Sequence, residues 1–335
     1  MTVEIPMPEE RLAQMWRAAQ TALSRWDGSY QDLSLIKYRE NAVFSVYDGA
    51  GNRFAIRVHR PAYHADAELS SELQWMEELS RTGIPVPRVV PDYNGNLCVI
   101  VDIETINFQV DMLEWMRGEP VGSIEDVTLH DADSLFRLYQ KAGLLAARLH
   151  NTSEIWERPH GFVRHAWDSP GLIGPNPFWG DFRQLPEIVG HLMLIEAACR
   201  KAEHDLRAIG QGGDVYGLIH ADLVPENLLQ EDGVLKLIDF DDAGFGWHLF
   251  EIATALYFYF DTSLYEVVLK AFVTGYRESR MLADHYLAYL PLFLFLRSLT
   301  YLGWVHTRKE TETARELTPL FVERTITLAD NYLRR

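Results

Sequence analysis

The sequence has little cysteine. Cys98 and Cys199 are the only two cysteines among 335 residues, and both have apolar neighbours. Such a pair fits reduced thiols in the core of a cytoplasmic protein better than a disulfide or a metal site. The length allows one large domain or two lobes and is enough to bury a sizeable core.

Long hydrophobic runs are also absent. The most apolar segment, from Tyr286 to Leu296, contains Pro291 and is ended by Arg297. It is shorter than the roughly 20 residues that a membrane span needs, so it predicts a buried helix and no membrane partner. Residues 1–16 lack the apolar core of a signal peptide, which again favours a cytoplasmic protein.

Basic residues are fewer than acidic ones. Lys and Arg total 31 against 48 Asp and Glu, so the formal net charge is −17. A surface of this sign repels phosphate backbones and attracts a cationic small substrate, which argues against nucleic acid as a partner. The acids are spread along the chain, so an acidic surface that only keeps the protein soluble is the alternative interpretation.

Against this background, one segment concentrates polar residues between apolar strands. It reads LIHADLVPENLLQEDGVLKLIDFDDAGF from Leu218 to Phe245. His220, Asp222 and Asn227 share one loop, and Asp239 follows an apolar run. Phosphoryl transfer needs such a set, with one carboxylate for the hydroxyl proton and an amide plus a second carboxylate for magnesium. Each residue alone is more often a cap or turn former, but four in this order favour the functional interpretation.

This segment resembles the catalytic loop of the aminoglycoside phosphotransferase and choline kinase family, within the protein-kinase-like superfamily. The resemblance implies that Asp222 is the catalytic base, that Asn227 and Asp239 bind Mg²⁺, and that His220 supports the loop. It also implies an α+β, two-lobed protein-kinase-like fold, with a small mixed β-sheet N-lobe and a larger, mainly helical C-lobe. ATP and Mg²⁺ are the cofactors expected between the lobes.

Hydrophobic periodicity predicts a mixed lobe followed by a helical one. The predicted N-terminal nucleotide-binding lobe, residues 1–113, has these elements: a leading helix over 9–23, a hairpin of strands 42–46 and 54–58, a helix over 66–79, and strands over 97–102 and 107–115. The predicted C-terminal catalytic and substrate-binding lobe, residues 114–335, has helices over 132–151, 185–209, 250–260, 265–280, 284–306 and 314–333.

Arg57 lies in FAIRV, where a protein kinase carries its phosphate-binding lysine on the third strand. By resemblance its helix partner is Glu72, with Glu68 as the alternative, and an exposed strand residue is the competing view of Arg57. Arginine recurs at this position in a bacterial branch of the family, so it does not imply an inactive enzyme.

The phosphate loop of this chain is not glycine-rich. Between Lys37 and Val46 the sequence places Asn41 in a polar turn, where the family carries an Asn before an aromatic residue. We expect residues 40–42 to cover the phosphates, with an ordinary polar turn as the alternative. The purine is expected against the backbone of Leu113 to Met116, with Glu114 and Met116 as the candidate residues.

Candidate substrate residues follow the motif and fill a loop rich in glycine and aromatics. Asp241 faces either a cation or solvent, and Glu251 replaces the usual family aspartate. Trp167, Asp168 and Trp179 belong to a pattern that resembles the stress-response Ser/Thr kinase and type II homoserine-kinase-like branch; covering the core is their alternative role. Arg297, in an apolar helix, is either an anchor for a substrate carboxylate or part of an internal ion pair.

These residues favour phosphoryl transfer from ATP to a hydroxyl of a small metabolite, such as an amino-alcohol, an amino acid or an aminoglycoside-like compound. A Ser/Thr protein kinase of the stress-response type is the nearest alternative. A non-catalytic nucleotide-binding protein is a more distant one, and the intact Asp222, Asn227 and Asp239 argue against it.

Overall fold

A computed structural model describes residues 8–38, 41–123 and 131–335. The chain forms two compact units, Met1–Gly118 with Glu157–Val163, and Glu119–Trp156 with Arg164–Arg335. The first unit is built on an antiparallel sheet and the second is mainly helical, so the predicted α+β class is confirmed. No helix in the described ranges combines the length and the apolar character that crossing a membrane requires.

The first unit contains two helices and a five-stranded sheet. Its elements are α1 (Pro8–Ala22), β1 (Tyr30–Tyr38), β2 (Ala42–Asp48), β3 (Arg53–Val58), α2 (Asp66–Arg81), β4 (Cys98–Ile103) and β5 (Ile106–Glu114). The strand order is β1-β2-β3-β5-β4, and all neighbours are antiparallel. The predicted leading helix, hairpin, second helix and two later strands are confirmed, and the sheet gains β1 as an edge strand.

The two faces of this sheet differ because successive side chains of a strand point to opposite sides. One face carries buried apolar residues such as Phe44 and Ile56, which form a core with α1. The other face carries polar groups at the alternate positions. Arg57 of β3 lies directly opposite Asp111 of β5 in the strand register, which brings the two side chains together.

The second unit combines helices with two small three-stranded sheets. The helices are α3 (Ala132–Ile155), α4 (Ser169–Ile173), α5 (Leu192–Ile209), α6 (His248–Leu256), α7 (Tyr265–Arg277), α8 (Asp284–Leu287), α9 (Leu290–Thr307) and α10 (Glu312–Leu333). The strands are β6 (Glu119–Pro120), β7 (Ala166–Trp167), β8 (Tyr216–Ile219), β9 (Leu228–Glu231), β10 (Val234–Leu237) and β11 (Gly244–Trp247). Strand β11 pairs with β7 and β8, while β9 pairs with β10 and β6.

Three sequence predictions need correction in this unit. The helix predicted over 284–306 is two helices, because Pro291 in the first turn of α9 has no N–H with which to continue a preceding helix. The helix predicted over 185–209 begins with a 3-10 segment, Pro186–His191, before α5. The loop of the motif contains β9, which forms a hairpin with β10 around Asp232 and Gly233.

Helix α9 lies at the centre of the second unit. It is buried along most of its length and packs against α6 and α10. The buried helix predicted from the apolar segment is therefore confirmed. One of its fully buried residues is charged: Arg297 has 0% exposure.

Candidate active site

The motif folds as a loop that leaves β8 and a second turn that follows β10. His220 connects them, because its Nε2–H donates to the carbonyl of Ile238 at 3.0 Å while its Nδ1 accepts from the backbone N–H of Asp222 at 3.3 Å. The backbone N–H of Ile238 in turn donates to the carbonyl of Asn227 at 3.0 Å. Residues predicted from two separate stretches of sequence are thus adjacent in the fold.

The backbone is unusual at two positions of this loop pair. Ala221 has a φ of +64° and Asp239 a φ of +68°, a left-handed conformation that residues with a side chain adopt rarely. Such conformations cost free energy and persist where the surrounding contacts impose them, which is frequent at functional sites. Ala221 directly precedes Asp222, and Asp239 is itself one of the residues that the motif singled out.

Asp222 is held by two side chains, one on each oxygen. The Nδ2 of Asn227 donates to Oδ2 of Asp222 at 2.8 Å and to its backbone carbonyl at 2.9 Å. The Nη2 of Arg297 donates to Oδ1 at 2.9 Å. The Asp222 side chain keeps 22% of its surface exposed, so a small molecule can still reach the carboxylate.

The oxygen atoms near this loop suit a hard divalent cation. Because the amide nitrogen of Asn227 is used on Asp222, its amide oxygen is the atom left to bind a metal. Asp239 is exposed and lies two residues after the end of β10. Carboxylate and amide oxygens are the ligands that Mg²⁺ and Ca²⁺ prefer, so the residues present fit such an ion.

Glu251 of α6 contacts the loop that carries Asp222, which is the candidate catalytic loop. Its two carboxylate oxygens accept the backbone N–H groups of His220 at 2.9 Å and of Ala221 at 2.7 Å. Burial raises the pKa of the Glu251 carboxyl, although His220 and these two N–H groups oppose the rise. The extra methylene relative to the usual family aspartate therefore does not prevent contact with the loop.

A buried imidazole, that of His150, lies next to the Glu251 carboxylate. The Nε2 of His150 lies 3.8 Å from Oε1 of Glu251, and its Nδ1 is 2.8 Å from the hydroxyl of Tyr276. The ring of His150 stacks on that of His248 at 4.2 Å between centroids. Burial holds the pKa of both histidines well below the ordinary value, so two neutral rings lie beneath the loop.

The turn after Asp239 is fixed by buried side chains. Arg164 donates to the carbonyls of Ala243 and Asp241, each at 2.6 Å. The indole N–H of Trp179 donates to Oδ1 of Asp242 at 2.8 Å, and that of Trp167 donates to the Asp242 carbonyl at 2.9 Å. These contacts hold the acidic turn in one conformation.

The proposed substrate residues therefore differ in what they can reach. Trp167 has 0% exposure and packs against Phe250, so it lies in the core. This agrees with the alternative role predicted for it. Asp168 caps α4 by accepting the backbone N–H of Gly171 at 2.9 Å. Trp179 is 8% exposed and Asp241 is 6% exposed, and both lie beside the motif. Arg297 is in an ion pair with Asp222, which is the second of its two predicted roles.

The first unit brings together a different cluster, on the polar face of its sheet. Arg57 donates from Nη1 to Oε1 of Glu72 at 3.0 Å, so the predicted partner is present and Glu72 is the one in contact. Sequence reasoning missed Asp111, which accepts from Nε and Nη2 of Arg57 at 2.9 Å each. His59 lies 2.6 Å from the same carboxylate.

The charge of Asp111 is stabilised by these neighbours. Burial alone raises its pKa, but Arg57 and His59 outweigh burial and hold the pKa below its usual value. An acid inside the apolar stretch VDML was the sequence signal that could have revealed this residue, since a buried carboxylate requires a partner.

The remaining nucleotide candidates lie at turns of the first unit. The side-chain oxygen of Asn41 accepts the backbone N–H of Arg60 at 2.9 Å, which ties the turn before β2 to the end of β3. Glu40 lies outside the described residues. Glu114 ends β5 and donates its N–H to Arg88, while the N–H of Met116 has no hydrogen-bond partner within the described residues.

Comparison with known proteins shows that this chain is similar to phosphotransferases. Residues 35–282 match the model described as the phosphotransferase enzyme family, APH. The chain is 23% identical to amicoumacin kinase of Bacillus subtilis (strain 168) over 311 residues, which cover 88% of this chain and 86% of that protein.

Solved structures are similar over almost the whole chain. The microcompartment-associated aminopropanol kinase is 33% identical, with a TM-score of 0.82 over 95% of this chain and 98% of that one. The amicoumacin kinase hAmiN, in complex with AMP-PNP, Ca²⁺ and Ami, has a TM-score of 0.77 at 21% identity over 97% and 96% of the two chains. The predicted protein-kinase-like fold is thereby confirmed.

We predict that Asp111→Asn destabilises the protein by about 3 kcal/mol at neutral pH, because it leaves the buried guanidinium of Arg57 short of one charge partner. Urea unfolding measures this. The loss should shrink as the pH falls below about 4, since a carboxyl with a lowered folded pKa loses its contribution on protonation. The control is Asp102→Asn on the exposed side of β4. An equal effect of both variants, or one independent of pH, contradicts the prediction.

We also predict that Glu251→Gln loosens the catalytic loop. The new amide group has one acceptor instead of two, so a buried N–H of His220 or Ala221 loses its partner. Amide hydrogen exchange in peptides spanning the loop should accelerate by about tenfold or more. Glu323→Gln on the exposed side of α10 is the control. Unchanged exchange in the Glu251 variant would show that the carboxylate does not brace the loop.

Proposed function

Because the chain belongs to the phosphotransferase enzyme family, we propose that it moves the γ-phosphoryl group of MgATP to a hydroxyl of a small, amine-bearing metabolite. The match to this family and the similarity to an amicoumacin kinase and an aminopropanol kinase support the proposal. The observation that carries the proposal is the accessible Asp222 carboxylate, held by Asn227 on the loop that His220 and Glu251 fix.

In this reaction Asp222 accepts a hydrogen bond from the acceptor hydroxyl and orients its oxygen in line with the γ-phosphorus. The new P–O bond forms as the bond to ADP breaks, and the hydroxyl proton passes to Asp222 and then to water. Asn227 and Asp239 would hold the divalent cation, which neutralises phosphate charge when bound. Positioning and charge neutralisation account for most of the rate enhancement in this mechanism.

The nucleotide is assigned to residues of the first unit. Arg57 donates to Asp111 and Glu72 through Nε, Nη1 and Nη2, so it is proposed to contribute positive charge near the phosphates rather than a bidentate contact with them. Asn41 lies in the turn that replaces a glycine-rich loop. The N–H of Met116, which donates to no group of the described residues, is a backbone donor that a purine nitrogen can accept.

An amine on the acceptor is favoured by charge. Asp241 and Asp242 follow the metal-binding position, and the whole chain carries a net charge of −17. A carboxylate-rich turn attracts an ammonium group and repels a second anion. Among the relatives, the aminopropanol kinase is named for a substrate with an amine and a hydroxyl on one small molecule. Amino-alcohols are therefore the first acceptors to test.

We predict that ADP release is stimulated by an amino-alcohol in a screen that also contains hydroxylated amino acids, aminoglycosides, neutral diols and Ser/Thr peptides. Asp222→Asn should reduce this turnover by about 100- to 10,000-fold while MgATP affinity stays near that of the unaltered protein, since the base acts only in the transition state. Asp232→Asn, in the exposed β9–β10 turn, is the matched control. Stimulation by peptides alone, or full turnover in Asp222→Asn, would overturn the proposal.

A second prediction concerns the metal. Asp239→Asn keeps a residue that tolerates the left-handed backbone but removes the charge, so it should weaken nucleotide binding with Mg²⁺ by about tenfold or more. Binding without Mg²⁺ should change little. Calorimetric titration of AMP-PNP with and without Mg²⁺ measures both values, and equal affinities of the unaltered protein and the variant in Mg²⁺ would remove Asp239 from the metal site.

A further inference from the structure

Arg297 is a charged residue in the interior of the second unit. It lies in α9 among apolar residues and has 0% exposure. Placing a guanidinium there is strongly unfavourable unless other groups satisfy it. Its partners therefore indicate what the residue does.

Those partners are on the catalytic loop and on its own helix. Nη2 donates to Oδ1 of Asp222 and to the hydroxyl of Tyr301, each at 2.9 Å. Nη1 donates to the backbone carbonyl of Ala221 at 3.1 Å. One side chain of α9 thus contacts both the carboxylate and the strained backbone that precedes it.

Aromatic rings keep the guanidinium in this orientation. Its central carbon lies 4.6 Å from the ring centroid of Trp179 and 4.5 Å from that of Tyr301. Trp179 is itself held through its hydrogen bond to Asp242. Burial alone lowers the pKa of Arg297, but Tyr301 and Asp222 reverse the effect, so the side chain stays charged.

This environment excludes the first role predicted for Arg297. A side chain without exposure does not meet a substrate carboxylate that arrives from solvent. Both Nη atoms already donate to groups of the protein. A substrate anion would have to displace Asp222, the residue that the reaction needs.

We propose that Arg297 is a positioning residue that fixes the carboxylate of Asp222 for the incoming hydroxyl. This inference rests on the proposed function, in which Asp222 orients the acceptor. With Oδ1 held by Arg297 and Oδ2 by Asn227, rotation of the carboxylate is blocked at both oxygens. The ion pair also offsets the negative charge of Asp222 where the phosphates must approach.

The test compares Arg297→Met and Arg297→Lys in the full chain, with the best acceptor from the screen. Arg297→Met should lower kcat by about 100-fold with KM for ATP changed less than about threefold, because a misplaced base affects the chemical step. Arg297→Lys keeps a charge but has one nitrogen in place of Nη1 and Nη2, so it cannot reproduce the contacts of both. Its kcat should lie between that of the unaltered protein and that of Arg297→Met. Guanidinium chloride at low millimolar concentration should partly restore Arg297→Ala, whereas NaCl should not.

Arg324→Met provides a matched control. Arg324 of α10 is 7% exposed, lies over the ring of Tyr257, donates to the carbonyls of Tyr257 and Phe260 and pairs with Asp261. None of its contacts within the described residues is to the loop of Asp222. It should lower the melting temperature and leave kcat unchanged. If Arg297→Met fails to fold, Tyr301→Phe, which removes one acceptor of Arg297, serves in its place with a smaller fall in kcat.

A double-mutant cycle separates positioning from general destabilisation. If Arg297 acts through Asp222, the double variant Asp222→Asn with Arg297→Met should turn over no more slowly than Asp222→Asn alone. Additive losses or an unchanged kcat in Arg297→Met would overturn the inference while the kinase activity stands. An inactive unaltered protein would instead overturn the proposed function, and this inference with it.

Discussion

The loop that carries Asp222 is held by charges that the protein buries beneath it. Glu251 accepts two successive backbone N–H groups of this loop, and Arg297 contacts its carbonyl and its carboxylate. A buried charge is tolerated only where hydrogen bonds and a counter-charge replace water, so each of these contacts is costly to lose. The left-handed backbone at Ala221 persists because Glu251 accepts its N–H and Arg297 donates to its carbonyl.

The first unit uses the same principle on a sheet. Arg57 is surrounded by Glu72 and Asp111, and His59 extends the cluster. The bidentate contact with Asp111 gives the guanidinium a fixed plane, which a lysine at the same position would lack. Replacement of lysine by arginine is therefore accompanied by a partner that suits an arginine.

Prediction from the sequence succeeded where a pattern is local. The period of apolar residues located most helices and the β2–β3 hairpin, and the spacing of His220, Asp222 and Asn227 located the loop. It was weaker where elements are short. Strands β6, β7, β9 and β11 have two to four residues and form only because a neighbouring strand is available, so no periodic signal reveals them.

Local sequence thus determined which side chains are candidates for the chemistry, because all of them lie within a loop of eight residues and at the end of the strand that follows it. Tertiary structure alone decided which partners hold them. Asp111 is 54 positions from Arg57, and Arg297 is 75 positions from Asp222. Strand register and the packing of α9 create these contacts, and neither leaves a trace in the spacing of residues along the chain.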